Sequence, residues 1–130
     1  MSQQRPNDKA HREIFDAGEQ VRRKVLGDTW VDRQLNPLAT EVAWGGIWTR
    51  PGLELKQRSL IVIALLMSMG KEAELAGHIR GAVNNGCTEL EIQETMLQTT
   101  VYTGMPVGVS MFRVADRAIK ELKEEGLLKS

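Results

Sequence analysis

Cysteine is nearly missing from this 130-residue chain: Cys87 stands alone, which excludes an internal disulfide, a CxxC redox pair and a cysteine-rich zinc site. Aromatic residues are scarce as well, at 5%. There is no excess of one charge, since 17 Lys and Arg offset 17 Asp and Glu. That balance argues against nucleic acid or a membrane surface as a partner. The longest apolar run, Leu60 to Met67, falls well short of the ~20 residues that span a bilayer. The N-terminal MSQQRPNDKAHREIF has no apolar stretch of the kind that marks secretion, so the expectation is a reduced, cytoplasmic protein. GxGxxG, P-loop and HExxH patterns are absent, leaving nucleotide and zincin readings without support, and no metal site is expected.

What is present is helix. With 42% hydrophobic residues, a chain of this length buries roughly two thirds of its unfolded surface and reads as one domain over 1–130, with 1–11 a flexible polar lead. Residues 12 to 26 place Ile14, Val21 and Val25 on one helical face before Gly27. Asp28 to Leu35 reads as a connection. Asn36-Pro37 then starts a second helix carrying Leu38, Val42 and Trp48, weakened by Gly45-Gly46. After the Thr49-Arg50-Pro51-Gly52 turn, residues 55 to 69 form a third helix, apolar enough to be buried all round and to join a subunit contact. A fourth runs from Lys71 to Asn85. Thr88 and Glu91 form a capping box for a fifth, and Pro106 opens a sixth with Met111, Ala115, Ala118 and Leu122 on one face. The predicted architecture is an all-α bundle of about six helices.

Three groups of residues could carry chemistry. Lys71, Glu74 and His78 lie at i, i+3 and i+7 on the fourth helix, beside the apolar stripe of Leu75, Ile79, Ala82 and Val83. A carboxylate one turn before a histidine can hold its tautomer and raise its pKa, making a proton donor near neutral pH. The same spacing also suits an ordinary solvated helix. Trp44 and Trp48 flank Gly45-Gly46, where the glycines permit close approach of a ligand or a second backbone and the indoles either wall a pocket or fill a helix crossing. Arg50, Lys56 and Arg58 form a cationic cluster suited to an anionic small molecule if they converge, and to a solvated helix entry if they do not. Cys87 has no neighbour that would activate it, and His11 reads as solvated.

Taken together, Val21–Asp28 with Val31-Asp32-Arg33, Ala43–Leu53, Arg58-Ser59-Leu60, Glu74-Leu75 with His78, Asn84-Asn85-Gly86 and Val101–Pro106 resemble the carboxymuconolactone decarboxylase family, within the alkylhydroperoxidase-like group. The resemblance implies an all-helical protomer in a trimer-based homo-oligomer, commonly a hexamer. It implies cofactor-free loss of CO2 from 4-carboxymuconolactone, a small anionic lactone, giving the 3-oxoadipate enol-lactone of protocatechuate catabolism. On that basis His78 is the proton donor to a dienolate and Glu74 orients it. Arg50 or Arg58 holds the retained carboxylate, Trp44 and Trp48 make a dry wall, and Lys71 joins the substrate-binding set. The redox branch of the group carries CxxC where this chain has Lys71 and Glu74, so thiol peroxidase chemistry is not expected. The segment from Asp32-Arg33 to Trp44 is shorter than is usual in the family, which leaves room for a related unsaturated or β-keto acid as substrate. A helical oligomer without catalysis is the remaining alternative.

Overall fold

The computed structural model describes residues 6–32 and 36–129. Among these residues every regular element is helical. The chain divides into two compact units, Met1–Leu53 and Glu54–Ser130, on either side of the predicted Pro51-Gly52 turn.

The first unit contains α1 (Asp8–Leu26), α2 (Asp28–Asp32), α3 (Pro37–Ala39) and a π-helix over Thr40–Trp48. α1 starts four residues earlier than the apolar pattern predicts, because Asp8 and Glu13 form i,i+4 ion pairs with Arg12 and Lys9 in its first turns. Its buried face is Gly18, Arg22, Val25 and Leu26, whereas Ile14 is exposed. His11, expected in solvent, bonds to Glu41 of the π-helix. Asp28–Asp32, read as connection, is a helix too short to reveal a period; the remainder of that segment, 33–35, lies outside the described residues. Asn36 caps as expected, its Oδ1 accepting from Ala39 N at 3.0 Å.

The second helix differs most from expectation, being α-helical for only three residues before widening into the π form. It packs closely on α1. A Cβ at Gly45 would sit 2.4 Å from the Ile14 carbonyl oxygen, and one at Gly18 would sit 2.3 Å from that of Thr40. The two helices therefore meet backbone to backbone, and Gly45 serves that approach. The wider turn of a π-helix also brings residues four apart nearly into line, and Trp44 and Trp48 stack with centroids 4.5 Å apart.

The second unit contains α4 (Leu55–Ser68), α5 (Glu72–Asn84), α6 (Glu89–Thr103) and α7 (Met105–Glu124). The structure thus has seven α-helices and one π-helix among its described residues, against the six predicted. Ile63 and Met67 of α4, Leu75 and Ile79 of α5, Ile92 and Met96 of α6 and Met111 and Leu122 of α7 form a common core, each side chain of this size contributing ~1.5–3 kcal/mol by burial. α4 is not buried all round. Only Ser59, Ile63 and Met67 are enclosed, while Ile61, Leu65 and Met69 form a stripe that is 48%, 54% and 60% exposed. The capping box at α6 is half formed: Thr88 Oγ1 accepts from Glu91 N at 3.1 Å, but Glu91 Oε1 takes Lys56 Nζ at 2.7 Å instead of the cap amide. α7 follows α6 after Gly104, and its Gly108 packs against Thr100 so closely that a Cβ there would lie 2.5 Å from Thr100 Cγ2.

Candidate functional site

Glu74, His78 and Asn85 lie within about 40° of one another around α5, at 100° per residue. Lys71 is the residue before the helix, at its N-cap, and is exposed, as is Glu74. His78 is half-buried and its Nδ1 is shut off from solvent. The expected rise in its pKa is overturned. Desolvation pulls the imidazole down to about 4, and the charge of Glu74 raises it by less. Glu74 is in water, where its field is screened, whereas the imidazole is not. His78 is therefore neutral at pH 7, a proton acceptor until something alters its surroundings.

This has a stability consequence whose sign is fixed. A histidine with a folded pKa near 4 and an unfolded one near 6.5 takes up a proton on unfolding between those values. Its contribution is then complete above pH 7 and is lost as the pH falls toward 4. Urea unfolding of the protein at pH 5 is expected to show about 2 kcal/mol less stability from this group than at pH 7. The His78→Gln variant is expected to lose less over the same interval.

Arg58 is half-buried on α4, with its Nε enclosed, and belongs to the same unit as His78. Lys56 is not available as a third cation. Its Nζ is held by Glu91 at 2.7 Å, and that hydrogen bond raises its pKa. Arg50 is exposed in the turn after the π-helix, and Trp44 and Trp48, 6% and 7% exposed, belong to the first unit. Cys87 is buried and its thiol is pushed up to about 11, chiefly by desolvation. Among the described residues no three His, Cys, Asp or Glu side chains gather as a metal-binding group. A groove of about 300 Å³ between α5 and α7 is lined by Glu72, Ala73, Ala76, Arg117 and Glu121. It opens on the side of α5 away from Glu74 and His78, so it is not the predicted site.

Sequence reasoning missed three buried polar groups. Arg22 is 4% exposed and its Nη1 donates to Thr40 Oγ1 at 3.0 Å; burial lowers its pKa. Ser59 is 0% exposed in the middle of the most apolar helix. Asn85 Nδ2 donates to Ser59 Oγ at 2.8 Å and to the Leu55 carbonyl at 3.3 Å, while Asn85 Oδ1 is buried with no hydrogen-bond partner. An unsatisfied buried acceptor costs about 1–3 kcal/mol. Serine and asparagine are common enough on helix surfaces that only their burial singles these two out.

The chain matches the sequence profile of the carboxymuconolactone decarboxylase family over residues 34–117. It belongs to that family. Relatives of this family member include nitrosuccinic acid decarboxylase of Metarhizium robertsii, 41% identical over 97% of this chain and 95% of the relative. They also include 4-carboxymuconolactone decarboxylase of Acinetobacter baylyi, 36% identical over 83% of this chain and 88% of the relative. An uncharacterised 15.0 kDa protein of Paracoccus denitrificans is 32% identical over 65% of each chain. Both relatives of named activity in this family are decarboxylases, which supports a carboxy-lyase kind of enzyme. Among the described residues no helix is long and apolar enough to cross a membrane.

Proposed function

We propose that this protein is a cofactor-free decarboxylase of a small dicarboxylic acid. In such an acid the departing carboxylate leaves its electron pair in an acceptor that the substrate already carries. The observation that carries the reading is His78, half-buried on one face of α5 with Glu74 and neutral at pH 7, in a family member whose named relatives both remove CO2. In nitrosuccinic acid the carbon that loses CO2 also bears a nitro group. The C–C bond breaks, the electron pair moves into the nitro group as a nitronate, and the carbon then takes a proton. In 4-carboxymuconolactone the pair runs through the ring double bond into the lactone carbonyl, and a ring carbon takes the proton. Both acids keep a second carboxylate, for which Arg58 offers a bidentate partner.

A dianionic substrate beside His78 favours the charged imidazole. Binding thus loads a proton onto a group that is neutral in the free protein, and His78 returns it to carbon once CO2 has left. Glu74 orients the ring. Arg50, Lys71, Trp44 and Trp48 remain substrate-binding residues on the strength of the sequence alone. The exposed Ile61, Leu65 and Met69 of α4 support assembly with further copies of this chain, proposed as trimer-based. The enzyme is proposed to work in the cytoplasm, without metal or organic cofactor and without thiol chemistry, given Lys71 and Glu74 in the CxxC places.

Of the two substrates, the nitro acid is favoured by similarity at 41% over 97% of the chain; the lactone reading rests on 36% over 83%. Purified protein given each acid in turn, with CO2 release and ultraviolet absorbance followed, is expected to turn over nitrosuccinate faster. Preference for the lactone reverses the order of the two. A folded protein that releases CO2 from neither overturns the decarboxylase reading.

A further inference from the structure

Asn85 follows the last turn of α5 as its C-cap, and the proposed reaction gives it no part. Its amide nitrogen is bonded to Ser59 Oγ and to the Leu55 carbonyl of α4, at 2.8 and 3.3 Å. A carbonyl can only accept, so the Leu55 partner fixes which end of the amide is nitrogen. These two partners bracket Arg58 in sequence. The amide thus grips the one turn of α4 that carries the guanidinium, from the same side of α5 as Glu74 and His78.

As a fastening between helices the arrangement is poor. Ser59 is fully enclosed, and Asn85 Oδ1 is buried without a partner; an apolar pair would hold the two helices without leaving an acceptor unused. What a directional bond does better than an apolar pair is to fix one axial register against its neighbours one turn up or down. We propose that Asn85 is a positioning residue: through Ser59 and Leu55 it sets the register of α4 against α5, and so the reach of Arg58 toward a substrate carboxylate beside His78. The proposal rests on the decarboxylase reading and on Arg58 as the holder of the retained carboxylate.

The test is a double-mutant cycle read in KM and kcat for nitrosuccinate, or for 4-carboxymuconolactone if that is the acid consumed. Asn85→Ala is expected to raise KM about tenfold with kcat within about twofold, the pattern of lost binding that is uniform along the reaction. In an Arg58→Ala background the same change is expected to add less than about twofold, because the group it positions is gone. An Asn85→Ala protein with unchanged KM, or one whose KM effect is as large in both backgrounds, overturns the proposal. If Asn85→Ala does not fold, Ser59→Ala and Ser59→Thr replace it: a raised KM restored by the threonine hydroxyl supports the proposal, and identical KM values overturn it. Failure of the underlying reading looks different. Wild-type protein inactive on both acids fails as a decarboxylase before any residue is changed, and an Arg58→Ala protein with normal KM removes Arg58, and with it the role of Asn85.

Discussion

Replacing His78 by glutamine is expected to lower decarboxylation by ~10²–10⁴-fold, the range associated with loss of a positioned proton-transfer group, while the helical fold survives. Glutamine is a good helix former and carries no titrating proton, so α5 has no local reason to melt. The half-buried position supports the same view, since a polar side chain of similar reach can turn its amide outward. CO2 release gives the activity, and far-UV circular dichroism with gel filtration gives the fold. A folded His78→Gln protein with undiminished turnover removes the imidazole from the mechanism. A matching pH profile is expected: because His78 is driven to about 4 in the free protein and must carry a proton to return it to carbon, kcat/KM is expected to rise as the pH falls from 7 through 5 and to level off only as the free imidazole becomes charged.

The largest stability effect is expected at Gly45. An alanine methyl there would lie 2.4 Å from the Ile14 carbonyl oxygen and 2.7 Å from Ile14 Cγ2. The first obstacle is main chain and cannot rotate away, so α1 and the π-helix must separate. Overpacking of this kind costs ~1–3 kcal/mol when side chains can adjust, and more when they cannot. Gly45→Ala is therefore expected to lose at least ~3 kcal/mol, and Gly18→Ala, 2.3 Å from the Thr40 oxygen and 2.4 Å from Gly45 N, to lose a similar amount. Gly46→Ala is the control. Its methyl meets nothing nearer than the Glu41 oxygen at 3.8 Å, and its stability is expected to stay within about 1 kcal/mol of the parent. Thermal or urea unfolding of the three variants checks this. Equal stability for Gly45→Ala and Gly46→Ala would mean that the crossing is looser than it looks.

How much of this was legible in the sequence follows from what periodicity can carry. α5 lies within a residue of its expected bounds, and α6 and α7 start within a residue of theirs, because Gly86, Thr88 and Gly104 punctuate the chain. The α4 stretch misled, since a run without polar residues has no period from which to read a face; the structure supplies the face, and leaves Ile61, Leu65 and Met69 outside it. Gly18 and Arg22 were invisible for the opposite reason: a glycine and an arginine do not look like core, yet they line the buried side of α1. At the candidate site, spacing placed Glu74 and His78 correctly on one side of α5 but misjudged the imidazole. Helical geometry fixes the direction to a neighbouring charge and says nothing of how much water is removed, and here desolvation decides the outcome. Asn85 was quoted only as part of a resemblance, because the bond that matters reaches back 26 residues to Ser59.

The lone sulfur of Cys87 lies inside the core, its Sγ 3.7 Å from the Lys56 carbonyl oxygen and its thiol held far from ionisation. Folded copies of this chain therefore have no covalent staple to offer one another in an oxidising medium. Any assembly they form rests on non-covalent contacts.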